Sequence, residues 1–437
     1  MFPGTGSAEP VFTPAVTLSE EYNDNIFLQP SGEVSDYITR LLPSARIQYK
    51  APFWDWDAAY SYDYRHYARN VEVDNSTQEA LITNQTRLIR EFLFLDAKDV
   101  YDRVSLNTAR DFTQESLFVN QTDQNILQLN PYVVFHPGPS MTLSTGYTYR
   151  NIWYKDIQTV TVGNPISKVD QIAAMEAKDE ASPRLTLSMR LKQTSDANRV
   201  DDYRESDLAL GPRYEYAEGS FLWFFLGGTR IAFDKSGTGR QFTWDAGITH
   251  KLSTYSLTIA TALNYIDDPL LLLRREDRYM ATLKSEAQRI SLPASTLKSE
   301  AERAPLPAST GFFDQRSAEA KAFEEERTPW SVSAGFLEYR NVVTQALEQR
   351  TYQTRVSFAH SITRRWKGAY DLTIDRYEDK QVDTVTVLYV TEVRFDYLAA
   401  EKLTLSIDYR YSNSYSPDFY LENYDNNRFI VEAKYVF

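Results

Sequence analysis

The sequence predicts an all-β fold: an antiparallel transmembrane β-barrel of about twenty strands (roughly 18–22), with N- and C-termini periplasmic. Three observations predict it. Side chains alternate with period two along most of the chain, connections alternate between short and long, and the composition is ring-rich without a membrane-length apolar run.

The alternation is clearest in Trp54–Tyr64. Trp54, Trp56, Ala58, Tyr60, Tyr62 and Tyr64 fall on one face, and Asp55, Asp57, Ala59, Ser61 and Asp63 on the other. Successive side chains point to opposite sides of a strand, so one face suits lipid and the other water. The same reading puts Met141, Leu143, Thr145, Tyr147 and Tyr149 outward, then Leu257, Ile259, Thr261, Leu263 and Tyr265, then Leu403, Leu405, Ile407, Tyr409 and Tyr411. A helix would scatter each set around its axis.

Short turns are expected at Ala51-Pro52-Phe53, Lys98-Asp99, His136–Pro139, Ser182-Pro183, Glu218-Gly219, Ser253-Thr254, Thr363-Arg364 and Ala400-Glu401. Longer polar links are expected at Asn23–Ser35, Arg69–Thr83, Thr113–Asp123, Tyr154–Ser167 and Asn413–Asn426. Short periplasmic turns alternating with long outer loops are a habit of membrane barrels.

Composition agrees. The 437 residues include 30 Tyr, 23 Phe and 7 Trp, yet mean hydropathy is negative. A barrel reconciles the two by placing rings on an outer belt and polar groups inside. The apolar stretches around Phe221–Gly228 and Leu270–Leu273 fall short of the roughly 18–20 residues that a membrane helix needs. Met1-Phe2-Pro3-Gly4 shows neither a basic nor an apolar signal-peptide region. The chain is therefore expected to begin near a mature N-terminus, without its export signal. The net charge of −13 argues against nucleic acid as a partner.

The expected organisation is an N-terminal periplasmic tail over 1–10 and one barrel over 11–437, with a duplicated insert at 282–327. Thr282–Ser295 (TLKSEAQRISLPAS) is followed by the near-copy Thr296–Ser309 (TLKSEAERAPLPAS). A copy of 14 residues cannot cross a membrane twice, since each crossing takes about 9–11 residues. Three readings stay open: an enlarged periplasmic connection with a short helix at Ser317–Glu326, an extra wall hairpin at Ala304–Arg327, or a plug inside the lumen.

With that phase, the pore-lining candidates are Asp55, Asp57, Asp63, Arg150, Arg213, Glu215, Asp371, Asp375, Glu392, Arg394, Asp396, Asp408 and Arg410. Carboxylates and guanidiniums on facing strands can set a transverse field and hydrogen-bond sugar hydroxyls. The plainer alternative is that they pair with cross-strand neighbours and stiffen the wall. Outer-loop rings at Tyr415, Phe419, Tyr420 and Tyr424 are candidates for sugar contact. Glu20-Glu21 with Asp24, and Asp425 with Asn426, could offer oxygens to Ca²⁺, but their spacing matches no ligand set and a solvated loop is the plainer reading. His66, His136, His250 and His360 are dispersed and Cys is absent, so no metal or other cofactor is expected. The chain has no Gly-x-Ser-x-Gly elbow and is not read as an enzyme.

The last strand carries Phe429, Val431, Ala433, Tyr435 and Phe437 on one face. Its terminal ring, with Tyr435, is similar to the signal read by the outer-membrane assembly machinery, although Glu432 stands where that signal often has Gly.

Val16–Leu28 (VTLSEEYNDNIFL), Asp36–Tyr49 (DYITRLLPSARIQY) and Trp54–Asn70 (WDWDAAYSYDYRHYARN) together resemble a β-barrel porin family found in exopolysaccharide gene systems. Glu276-Asp277-Arg278-Tyr279 and the aromatic end fit the same pattern. The strong part covers roughly the first 70 residues, and the tandem repeat departs from it. The resemblance implies a Gram-negative outer-membrane barrel linked to polysaccharide export. Its partners would be outer-membrane lipid, the assembly machinery, polysaccharide and periplasmic export proteins. Two rivals stand beside that expectation: a general diffusion porin for small solutes, and a non-conducting barrel whose loops attach a surface polymer or an envelope partner.

Overall fold

The computed structural model of the chain describes residues 9–89, 91–106, 121–155, 165–270, 272–285, 330–418 and 422–437. They form one antiparallel sheet of twenty strands. In chain order the first five are β1 (Val11–Asn23), β2 (Asp36–Lys50), β3 (Trp54–Tyr67), β4 (Asn75–Ile89) and β5 (Leu93–Ser105). Next come β6 (Gln121–Phe135), β7 (Met141–Tyr154), β8 (Lys168–Ser182), β9 (Leu185–Asn198) and β10 (Tyr203–Ala217). The wall continues with β11 (Ser220–Phe233), β12 (Gly237–Lys251), β13 (Tyr255–Asp268), β14 (Leu272–Ser285) and β15 (Trp330–Asn341). The last are β16 (Leu347–Ser361), β17 (Trp366–Asp379), β18 (Thr384–Ala400), β19 (Leu403–Tyr415) and β20 (Tyr424–Val436). Each strand pairs with its sequence neighbour, and β1 pairs with β20 from Ala15↔Val436 to Asn23↔Arg428, so the sheet closes.

Both chain ends lie at the end of the barrel with the shorter connections. Eight connections at that turn end hold two to five residues, and one, between β14 and β15, spans 286–329. The opposite, loop end carries links of up to 15 residues, including 24–35 between β1 and β2.

Period two holds along the wall. Leu18, Leu41, Ile82, Phe224, Ile259, Ile374, Ile407 and Val431 are exposed on the outer face. Rings gather at its margins. Tyr49–Trp54, Phe92–Phe135, Trp366–Tyr397 and Tyr435–Phe437 pair near the turn end, with centroids 5.7, 5.0, 4.7 and 5.0 Å apart. Tyr22–Tyr37 and Tyr389–Tyr411 pair toward the loop end. Two ring belts around an aliphatic band match the two interfaces of a bilayer. Pro43, Pro131 and Pro212 sit inside strands, and each coincides with a two-residue break in one ladder of its strand, as expected of a residue without an N–H.

Several expectations are corrected. Lys98-Asp99 is not a turn but the middle of β5, which pairs Lys98 with Thr83 and Asp99 with Ile82. Asp99 accepts a hydrogen bond from Asn125 at 2.9 Å, while the chain reverses around Glu91, whose φ is positive. The link expected over Arg69–Thr83 is shorter, since β4 begins at Asn75. β14 and β15 pair directly from Arg274↔Asn341 to Lys284↔Ser331, and the extra hairpin expected at Ala304–Arg327 lies outside the described residues. The first repeat copy begins as wall, with Thr282–Ser285 closing β14. The rest of the insert, 286–327, lies outside the described residues, as do positions 1–8 of the expected tail.

Candidate functional site

The inner face is built by register. Glu21 stands opposite Ile38, Ser19 opposite Arg40, and Arg40 opposite Arg65, so Glu21, Arg40, Asp63 and Arg65 share one side of β1–β3. Counting across the remaining ladders puts Asp55, Asp57, Asp63, Arg150, Arg213, Glu215, Asp371, Asp375, Glu392, Arg394, Asp396, Asp408 and Arg410 in that same inward phase.

Most of these groups bond to wall neighbours. Asp57 accepts from Arg46 Nε at 2.9 Å and from Gln48 at 3.0 Å. Asp63 takes both arms of Arg40, at 3.2 and 2.7 Å, and also pairs with Arg65. Arg394 donates to Asp396 at 2.8 Å and lies 3.4 Å from Glu432, while Ser406 donates to Asp396 at 2.7 Å. Asp375 accepts from the Tyr377 hydroxyl at 2.9 Å. The Arg213 guanidinium lies 3.9 Å from the Phe221 ring centroid. Glu215 accepts from the Gly219 amide at 3.0 Å, which ties it to a turn. Asp371 faces Glu392, Asp408 faces Arg394 and Arg410 faces Arg428 across their ladders.

One cluster is not a wall contact. Arg150 on β7 pairs with Asp170 on β8, and its other contact is Asp267 on β13, at 2.9 Å. Lys168 on β8 donates to Asp267 at 2.5 Å and to the Tyr203 hydroxyl at 3.3 Å. β7 and β13 are six strands apart, roughly 29 Å along the wall at ordinary strand spacing. Such contacts require that the β13–β14 tip has left the wall. The backbone agrees: Ile166, just before β8, donates to the Pro269 carbonyl at the tip at 2.7 Å. Leu273 packs with Tyr203, Ile231 and Val342, the last from the β15–β16 connection. That connection follows the tip inward, since a Cβ at Gly239 would meet the Val342 carbonyl at 2.8 Å. Arg275 ties it down, donating to Gln345 at 2.7 Å and Gln241 at 3.2 Å.

The inward fold corrects two expected outward residues. Leu263 is only 3% exposed, and Tyr265 packs against the cluster around Leu273 instead of facing lipid. Below the tip lies a chamber of about 450 Å³, bordered by Arg150, Glu176, Arg190, Lys192, Glu205, Asp207, Phe225, Asp245 and Asp267. Its charges are matched locally: Glu176 with Arg190 at 2.9 Å, and Lys192 with Glu205 and Asp207 at 3.2 and 3.3 Å.

On the other side of the mouth the β1–β2 link also turns inward. Asn25 is fully buried, donates to the Gln29 and Asp425 carbonyls at 2.8 and 3.0 Å, and accepts from the Gln29 amide at 2.9 Å. Leu28 packs with Leu388 and Tyr424. Tyr424 is therefore a buried strand residue and no outer sugar platform, while Tyr415 is an exposed strand residue. Phe419 and Tyr420 lie outside the described residues. The two acid sets considered for Ca²⁺ disperse. Glu20 accepts from Thr39 on the outer face, Glu21 binds Arg428 on the inner face, and Asp24 binds Asn427. Asp425 accepts from Tyr411 and Asn413, each at 2.7 Å.

Lys168, Asp170, Tyr203 and Asp267, the residues that hold the tip inward, were not among the sequence candidates. A signal existed: Asp267-Asp268-Pro269 marks a loop, yet the residues after it are Leu270–Leu273. An apolar run where an outer loop should be polar calls for burial.

No family model matches the chain, and no curated protein matches it. Among solved structures it is similar to OccK3 (OpdO) from Pseudomonas aeruginosa, at 10% identity over 98% of this chain and 95% of that one, TM-score 0.43. It is similar to the siderophore receptor PirA from Pseudomonas aeruginosa, at 8% identity over 98% of this chain and 80% of that one, TM-score 0.46. It is similar to the FrpB iron transporter from Neisseria meningitidis, at 8% identity over 97% of this chain and 82% of that one, TM-score 0.48.

Proposed function

We propose that the chain is an outer-membrane channel for a hydrophilic solute, with a narrowed and selective lumen. The observation that carries this reading is the division of the closed sheet: ring belts and aliphatics outside, hydrogen-bonded charges inside. A closed sheet of this size has room for an aqueous path, and its charged inner wall keeps that path wet. The crossing of the mouth by the β13–β14 tip speaks for selectivity and against a general diffusion pore. Passage of a polysaccharide toward the cell exterior is the finer reading, supported by the resemblance of the first 70 residues. Tyr435 and Phe437 on the last strand then serve recognition by the assembly machinery, and periplasmic export proteins supply the driving force.

Single-channel recording in planar bilayers tests the channel. Discrete conductance steps are expected, and current blocked by added polysaccharide supports export. Deleting the gene should reduce extracellular polymer; unchanged polymer removes the export role. The same tip contacts favour a second reading, a non-conducting barrel that binds through its loops. A barrel correctly inserted, electrically silent and binding polymer would favour that alternative.

A further inference from the structure

β12 and β13 separate partway up the wall. They pair from Lys251↔Ser256 to Asp245↔Ala262 and no further. Beyond that rung β12 runs on from Trp244 to Gly237 paired to β11 alone, and β13 runs on from Leu263 to Asp268 paired to β14 alone. The separation begins roughly 24 Å of strand above Tyr255, or about 18 Å in height at ordinary tilt, within an apolar band about 25 Å tall. An open sheet edge at that depth persists only where it is covered or borders water. Here it borders the chamber, whose lining includes Thr243, Trp244, Leu263 and Asn264.

Continuing the β12–β13 register past the separation puts Phe242 opposite Tyr265 and Arg240 opposite Asp267. Both suit a wall. Phe242 is 60% exposed on the outer face, and Tyr265 continues the outward alternation of β13. Arg240 now stands opposite Arg230 of β11, a like-charge pair that destabilises a sheet, and an acid on its other side would relieve it.

We propose that the β13–β14 tip is a gate with two seats: one across the mouth, where Asp267 bridges Arg150 and Lys168, and one in the wall, where β13 rejoins β12 and Asp267 faces Arg240. This rests on the channel reading above. The seat across the mouth is the resting one, because leaving it exposes the cluster around Leu273 and Ile231. The wall seat offsets that loss by pairing the open edge of β12 and neutralising Arg240. Two seats with opposed gains of this kind make a two-state element that a solute or partner can bias.

The chain contains no cysteine, so introduced pairs report without background. Ile166→Cys with Pro269→Cys should staple the tip across the mouth, where their backbones already bond at 2.7 Å. Gln241→Cys with Ile266→Cys should link only in the wall seat, because Ile266 otherwise packs against Leu337 and Tyr339. Asp267→Asn gives up two cationic partners at the mouth, one of them buried, but only the exposed Arg240 in the wall, so it should raise the open fraction in planar bilayers by about threefold or more. Adding the 166–269 staple should abolish that gain, and reductant should restore it, which separates gating from misfolding. Oxidation of the 241–266 pair in membranes should yield a linked species, increased by Asp267→Asn. The gate is overturned if that pair never links and Asp267→Asn conducts like the parent. A linked 241–266 pair in a barrel silent in every variant would instead sink the channel reading and leave the two seats standing.

Discussion

Glu21 and Arg428, 407 positions apart in the chain, hydrogen-bond at 2.8 Å across the seam where β1 meets β20. The same carboxylate lies 3.5 Å from Arg40, so one buried acid stands between two guanidiniums where the sheet closes. Glu21→Ala leaves both without that partner. Breaking a buried pair from one side costs about 3–5 kcal/mol. Urea unfolding of the barrel folded into vesicles should show a loss of that order. Glu21→Gln should fall between the two, since it keeps the hydrogen bond and drops the charge.

The phase of the wall can be tested by charge insertion. Ile259 is half-exposed on the outer aliphatic band, and its neighbour Thr258 faces inward beside Thr249, with the hydroxyls 3.0 Å apart. Arginine near the midplane of the lipid face costs about 2–4 kcal/mol. Ile259→Arg should therefore impair folding into vesicles far more than Thr258→Arg. Equal impairment would mean that the phase is wrong.

Inner carboxylates should set ion preference. Asp371 faces Glu392 across β17–β18, two acids directly opposed, and Asp408 lies on the next strand. Replacing Asp371, Asp375 and Asp408 by Asn should lower the cation-to-anion permeability ratio by about twofold. Reversal potentials under a salt gradient measure it, and an unmoved potential would remove these residues from the ion path.

Strong acid should loosen the link between β9 and β10. Asp201, between β9 and β10, accepts from the amides of Lys235 and Ser236 at 2.8 and 2.9 Å and from the Ser236 hydroxyl. Burial pushes its carboxyl up, but these donors prevail and hold it below the ordinary aspartate value. A depressed folded-state value means the link stabilises above the unfolded pKa of about 3.9 and is lost as pH falls through the folded one. Protection factors of the Lys235 and Ser236 amides, exchange rates corrected for their intrinsic pH dependence, should therefore fall in that acid range. Asp201→Asn should show the lower protection already at neutral pH and little further change on acidification.

The fold was legible because each strand carries its own period. Trp54–Tyr64 and Leu403–Tyr411 state their inner and outer faces without reference to any neighbour. Closure, and the phase of Asp57, Arg394 or Asp408, then follow by counting. What stayed hidden is what alternation cannot encode. Leu263 and Tyr265 keep the outward phase of a wall strand but lie inside, because burial there depends on where the whole hairpin bends. The bonds of Asp267 to Lys168 and Arg150 join segments that no local pattern relates. Lys98-Asp99 misled in a simpler way: two adjacent charges read as a turn, although the polar inner face accepts Lys98 and the Asn125 side-chain amide satisfies Asp99.

The direct pairing of β14 with β15 makes the turn end a place where this chain can be lengthened. Ser285 and Trp330 are already held together, with the Trp330 amide donating to the Ser285 hydroxyl at 3.1 Å. Lengthening the connection between them costs little closure entropy, about 0.6 kcal/mol for each doubling of length. A tandem copy at Thr296–Ser309 therefore adds little closure cost, and a foreign domain grafted at the same point should ride on the wall as cargo without altering its register.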